Sequence, residues 1–324
     1  MGAHVMHYLL SIRMLTGMES GPFESAGITA YPSHDGWTAA APGILATVLD
    51  RWELRVESAH VGGTAGSVTN VVTRDGSRAV LKVAFPHTEG IWEAVGLEAF
   101  PDGCAPRVLR QDPWTWAMLM DRVAPGTTLT DSGIALDDAL AAAGELRVRL
   151  GAATPVDGIP RLTDVMRDYA ALGRDRLVHQ REALDSLRVA DLVSSGIEEL
   201  GELAARDTRT SLVHGDFNPG NILLDASGRL VVVDPKPLLG DPAFDLWPLI
   251  SQLGDPYRAN DPPATLARQA TIAATAAQCD PAQVMRWSRA RTALNVSWYL
   301  AENLREQATA EAAGLIAWNR AIAG

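Results

Sequence analysis

Apolar residues recur along this chain with two different periods. Between residues 45 and 123 they fall in short runs, such as Ala79-Val-Leu-Lys-Val83 and Trp116-Ala-Met-Leu-Met120, separated by glycine-rich or polar turns. Runs of this kind predict strands. One helical stretch, Glu93 to Phe100, lies among them. From 135 to 206 the spacing lengthens. Leu136 to Leu150 and Thr163 to Leu187 are rich in Ala, Leu and Arg and repeat every 3.6 residues, as amphipathic helices do. A strand-turn-strand unit over 213–238 interrupts this pattern, and helical spacing returns over 264–278 and 282–307.

A β-rich segment followed by a helical one is α+β organisation. It predicts a smaller lobe over 41–123 and a larger helical lobe over 124–324, with a ligand cleft expected between them. Residues 1–40, rich in Gly, Pro and Ser, read as an extension outside the core, with Met14 or Met18 as alternative starts. There is no internal repeat.

The interrupting unit carries the chemistry. In Val213-His-Gly-Asp-Phe-Asn-Pro-Gly-Asn221, Asp216 and Asn221 stand five residues apart across Pro219-Gly220, a breaker pair that forces a tight loop. The run Arg229-Leu-Val-Val-Val-Asp234 then delivers a carboxylate at the end of a short apolar strand, where an acid needs a partner or an ion. Phosphoryl transfer needs a carboxylate to orient a hydroxyl, and hard oxygen ligands for the magnesium that bridges the phosphates. Asp216 suits the first task, Asn221 and Asp234 the second.

His214-Gly215-Asp216-x4-Asn221 with Asp234 resembles the catalytic and metal-binding segments of the aminoglycoside phosphotransferases, small-molecule relatives of the protein kinases. Asp234-Pro-Lys-Pro-Leu-Leu-Gly-Asp-Pro-Ala-Phe-Asp-Leu-Trp-Pro248 and Asp50-Arg-Trp-Glu-Leu54 are similar to the branch containing streptomycin 6-phosphotransferases and hydroxyurea phosphotransferases. The resemblance covers roughly residues 45 to 305 and implies a bilobal protein-kinase-like fold, ATP and magnesium as cofactors, and a hydroxyl of a small acceptor as target.

Further parts of such a site are then expected. Lys82, a lone lysine in a buried strand, is the candidate for the ATP phosphates, since a buried charge requires a partner. The resemblance makes Glu93 that partner, with Glu89 and Glu98 as competitors. The glycine-rich turn His60-Val-Gly-Gly-Thr-Ala-Gly-Ser-Val68 is a candidate phosphate-covering loop through Gly63, Gly66 and Ser67, since glycines let amides approach phosphate closely. It is not a Walker loop. The resemblance also places Asp121 and Val123 at the adenine ring and makes Asp245 a support of the catalytic loop together with His214, although N-capping explains Asp241 and Asp245 equally well. Lys236 faces either phosphate or Asp216. On a helix running to 307, Asn295, Trp298, Glu302 and Glu306 would share one face. That face would either line the acceptor pocket, offering carboxylates and cation–π contact, or be a solvated stripe.

Composition narrows the partners. Lys and Arg number 28 against 39 Asp and Glu, a net charge of −11, which disfavours nucleic acid and suits a small cationic acceptor. Cys104 and Cys279 form no disulfide framework or metal-ligand pattern and fit a reducing cytoplasm. No apolar run reaches the ~18 residues a membrane span needs. Nothing points to an obligate protein partner. Three readings follow: a phosphotransferase acting on streptomycin or a relative, a kinase of the same fold acting on hydroxyurea, an amino sugar or another metabolite, and an ATP-binding sensor without transfer.

Overall fold

The computed structural model describes residues 34–60, 66–87, 89–206 and 210–324. The chain divides into two compact units, one running to Glu98 and including Ala105–Ala124, the other made of Ala99–Cys104 and everything from Pro125 onward.

The first unit is built on a five-stranded antiparallel sheet of β1 (Arg55–His60), β2 (Gly66–Val72), β3 (Arg78–Ala84), β4 (Val108–Asp112) and β5 (Ala117–Asp121), in the order β1-β2-β3-β5-β4. Helices α1 (His34–Arg51) and α2 (Glu93–Ala99) cover its two faces. Successive side chains of a strand point to opposite faces, and the packing follows that alternation. Val71, Ala79, Leu81, Val83, Ala117 and Leu119 pack with Trp37, Val48 and Trp52 of the α1 segment, whereas Val80, Met118 and Met120 pack with Ala94 and Leu97 of α2. Trp37 is buried and meets Phe85 edge-on at 5.8 Å. Trp37 therefore belongs to this core rather than to an outlying extension, on a helix that closes a sheet face water would otherwise wet. The remainder of that extension, residues 1–33, lies outside the described residues.

The second unit holds β6 (Pro125–Thr128), β8 (Ile222–Asp225) and β9 (Leu230–Val232) as a three-stranded antiparallel sheet, and β7 (Ser211–Val213) paired with β10 (Leu238–Gly240). Its helices are α3 (Leu136–Leu150), α4 (Leu162–Ser186), α5 (Ala190–Ala205), α6 (Leu246–Gln252), α7 (Pro262–Ala276), α8 (Pro281–Ala301) and α9 (Arg305–Ala323). Helix α3 starts with Asp137 and Asp138 and ends with Arg147 and Arg149, charges that complement the helix dipole. Asp261 and Asp280 cap α7 and α8 by accepting from the amides of Ala264 and Ala282, each followed by proline at the first helical position. Apolar residues of α4, α5, α8 and α9, among them Leu184, Val193, Ile197, Val296 and Leu315, form a common core.

Helix α8 corrects one expectation. It ends at Ala301, where Glu302 and Leu304 donate their amides back to Trp298 and Tyr299 and Asn303 takes a left-handed φ of 58°, the conformation in which helices commonly stop. Glu306 consequently starts a different helix and shares no face with Asn295, Trp298 and Glu302. Every residue from Ala290 to Tyr299 is buried, so this stretch of α8 is packed on all sides and carries no solvated stripe.

Candidate active site

Strand β7 runs into the loop that carries Asp216. The amides of His214 and Gly215 each donate at 2.8 Å to one oxygen of Asp245, and Arg147 Nε stands 3.0 Å from Asp245 Oδ2. Both side chains of this ion pair are fully buried. Arg147 Nη2 also donates to Ser211 Oγ at 2.7 Å and to the Leu212 carbonyl at 3.1 Å. Asp245 therefore secures the start of the loop. It makes no side-chain cap at α6, whereas Asp241 caps the short 3₁₀ turn Pro242–Asp245 by accepting from the Ala243 amide.

The His214 ring is buried, parallel to Phe100 at 6.2 Å and edge-on to Phe217 at 5.8 Å. Its Nε2 lies 3.1 Å from the Val233 carbonyl and its Nδ1 accepts from the Asp216 amide at 3.3 Å. A carbonyl can only accept, so the ring proton resides on Nε2 and the imidazole is neutral. Burial pushes its pKa below the usual histidine value, against the opposing charges of Asp245, Asp216 and Asp234.

The loop then folds on its own side chains. Asn218 accepts at Oδ1 from the amides of Gly220 and Asn221, and its Nδ2 donates to Asp216 Oδ1 at 3.1 Å. Asn221 Nδ2 donates to the Asp216 carbonyl at 3.0 Å, while the Asn221 carbonyl accepts from Val233 at 2.9 Å, tying the loop to the segment that leads into Asp234. Asp234 has a φ of 58°, a strained backbone for a non-glycine residue. Lys236 returns to the loop, its Nζ 3.3 Å from Asp216 Oδ2. Asp216, Asn221 and the approach to Asp234 are thus parts of one interlocked unit.

In the first unit Lys82 Nζ lies 2.6 Å from Glu93 Oε1, with both side chains largely buried. Period-2 alternation turns Lys82 to the α2 side of the sheet, where Glu93 opens the helix. With Ala84, Trp116 and Met118 the pair lines a cavity of about 100 Å³. Gly66 and Ser67 begin β2, opposite Ala84 and Val83, whereas Gly63 lies outside the described residues. Asp121 donates its amide to the Arg107 carbonyl and accepts from Arg107 Nε at 2.6 Å, so its amide is already engaged. Val123 follows it, partly buried, at the end of this unit.

The residues expected at an acceptor pocket belong to separate clusters. Asn295 donates to Glu311 at 3.1 Å. Trp298 is buried with Arg176 over its ring at 4.3 Å and Tyr169 edge-on, and burial lowers the Arg176 pKa, opposed by the charge of Glu302. Sequence reasoning missed Arg147, Asn218 and Phe100. Arg147 did leave a signal, since it occupies an apolar position of α3 in register with Ala143 and Leu150. Phe100 left none.

The fold is of the protein-kinase-like class. A choline/ethanolamine kinase family protein from Mesorhizobium loti aligns with a TM-score of 0.59 at 22% identity, covering 89% of this chain and 97% of that one. An aminoglycoside 2′-phosphotransferase solved with GDP aligns with a TM-score of 0.57 at 14% identity, covering 86% and 97%. The chain belongs to the aminoglycoside/hydroxyurea antibiotic resistance kinases, whose family model matches residues 51–303, and it is a small-molecule phosphotransferase. Streptomycin 6-kinase of Streptomyces glaucescens is 31% identical over 267 residues, 81% of this chain and 84% of that enzyme. Hydroxyurea phosphotransferase of Kitasatospora aureofaciens is 33% identical over 212 residues, 64% and 60% of the two chains.

Proposed function

We propose that this enzyme transfers the γ-phosphoryl of ATP to a hydroxyl of an aminoglycoside, with the 6-hydroxyl of streptomycin as the leading acceptor. The observation that carries the reading is the Asp216 carboxylate, fixed at both oxygens on a loop whose main chain is clamped by Asp245. Asp216 accepts the hydrogen bond of the acceptor hydroxyl and takes its proton as the oxygen bonds to the γ-phosphorus. The bond from that phosphorus to the bridging oxygen breaks, and ADP leaves with the electron pair. The transition state of such transfers is loose, so positioning and charge neutralisation outweigh base strength.

The donor set fits magnesium. Because Asn221 commits its Nδ2 to the Asp216 carbonyl, its hard Oδ1 oxygen is the end that would serve an ion, with the Asp234 carboxylate as the second ligand. Among the described residues no three His, Cys, Asp or Glu side chains could enclose an ion by themselves. An amide-and-carboxylate pair is nonetheless what magnesium uses when phosphates complete its shell. Bound there, it would neutralise charge on the phosphates. By the same resemblance Lys82, held by Glu93, would take the phosphates, Gly66 and Ser67 would cover them, and Asp121 and Val123 would meet adenine.

Streptomycin follows from the relatives named streptomycin 6-kinase and from a net charge of −11, which attracts a cation. The hydroxyurea phosphotransferase relative supports a second acceptor. A coupled ADP-release assay over streptomycin, other aminoglycosides, hydroxyurea and amino sugars tests the reading, with phosphorus NMR of the product to locate the phosphate. Turnover of hydroxyurea alone moves the assignment to that acceptor. ATP binding without turnover of any acceptor overturns it in favour of a sensor.

A further inference from the structure

The lysine of the catalytic loop has no part in the phosphotransfer steps above. Lys236 follows Asp234-Pro235, and its Nζ stands 3.3 Å from Asp216 Oδ2, with side chains 12% and 18% exposed. Its backbone is locked at two points. The Lys236 amide donates to the His214 carbonyl at 2.8 Å, and its own carbonyl lies so close to Gly215 that an added Cβ there would stand 1.9 Å from it. The ammonium therefore reaches Asp216 from a fixed main chain, not as a roaming surface side chain. Asn218 holds the other carboxylate oxygen.

This arrangement matters for an acceptor that carries both hydroxyls and cationic groups. A solitary carboxylate attracts an ammonium or guanidinium more strongly than it attracts a hydroxyl. Such an acceptor would dock a nitrogen where its hydroxyl oxygen must stand, giving a bound but unreactive complex. We propose that Lys236 is the internal counter-ion of Asp216, a positioning residue that occupies the carboxylate's ion-pairing capacity so that the acceptor meets Asp216 through a hydroxyl. A carboxylate oxygen bonded to one partner still has a lone pair for an O–H donor, whereas a second cation is repelled by the first. Lys236 stays protonated throughout the transfer and neither gives nor receives a proton. The inference rests on the cationic-acceptor reading given above.

The test compares wild type with Lys236→Met and Lys236→Arg. Thermal melting establishes folding, and Lys236→Gln replaces the methionine variant if that one is unfolded. Steady-state kinetics with streptomycin give kcat and KM, and calorimetry without nucleotide gives the dissociation constants of streptomycin and of hydroxyurea, a neutral probe. Lys236→Met is expected to lose about 100-fold in kcat, the size of effect a displaced reacting group produces. It should also bind streptomycin about 3- to 10-fold more tightly, a small part of the attraction between close charges, with hydroxyurea affinity unchanged. Lys236→Arg should keep most of both wild-type properties. Unchanged kcat in Lys236→Met, or weaker streptomycin binding, overturns the proposal. Wild type that phosphorylates only neutral acceptors overturns it too. A wild type that turns over no acceptor instead overturns the phosphotransfer reading itself, a result distinct from active wild type matched by an equally active Lys236→Met.

Discussion

Asp216 and Gly215 lie next to each other in the chain and fail in different ways when changed. Asp216→Ala leaves the loop's main-chain bonds in place, so turnover should fall by about 10²- to 10⁴-fold, the range for a lost acid-base group, while calorimetric affinity for magnesium-ATP stays near wild type. Loss of nucleotide affinity with turnover would show that Asp216 serves the metal or the fold instead. Gly215 has a φ of 80°, and a methyl group there collides with the Lys236 carbonyl. Gly215→Ala should cost more than about 1 kcal/mol of stability, since alanine is strained at positive φ, and should abolish turnover. Melting and the ADP assay read the two effects. At this scale the sequence was informative where contacts are local. Asp216 and Asn221 are joined through one turn, and Val233, the residue before Asp234, hydrogen-bonds the Asn221 carbonyl, so the spacing of these residue types follows local contacts. Phe100 against His214 is a contact between distant segments, with no trace in the local pattern.

Helix α3 reaches the loop through one arginine, and this makes it a functional element. Removing one member of a buried ion pair strands the other, at a cost of about 3–5 kcal/mol. Arg147→Met should therefore lower the melting temperature sharply. Arg147→Met with Asp245→Leu should regain much of that stability, because apolar replacement of a buried pair is often neutral, yet remain inactive, because the His214 and Gly215 amides lose their acceptor. A double variant that is both stable and active would show that Asp245 is dispensable to the loop. Between α8 and α9, burial raises the Glu311 pKa to about 7 from an ordinary 4.5, opposed by the Asn295 hydrogen bond. Over that interval the folded protein keeps a proton that the unfolded chain has released, so stability falls as pH rises from about 4.5 through 7. Glu311→Gln should flatten this decline in melting curves recorded across the same range. The long helices were legible from their period, but the stop at Ala301 was not. It depends on Asn303 adopting a left-handed backbone, which the apolar spacing on either side does not encode.

For the whole molecule, among the described residues no helix is long and apolar enough to cross a membrane. The net charge of −11 acts over distances that salt screens. If the acceptor is polycationic, KM for it should rise from 50 mM to 500 mM salt while KM for a neutral acceptor hardly moves, a contrast that initial-rate measurements resolve. The α+β architecture was readable from the change of apolar period, whereas the place of α1 was not, because Trp37 sits in a Gly-, Pro- and Ser-rich context that resembles a tail. The Arg147–Asp245 pair also constrains how this enzyme can diverge. Neither residue can be exchanged alone without a variant that folds poorly or leaves the His214–Gly215 turn unanchored. Lineages that acquire new acceptors will therefore inherit both residues together, while the surfaces contacting the acceptor are free to drift.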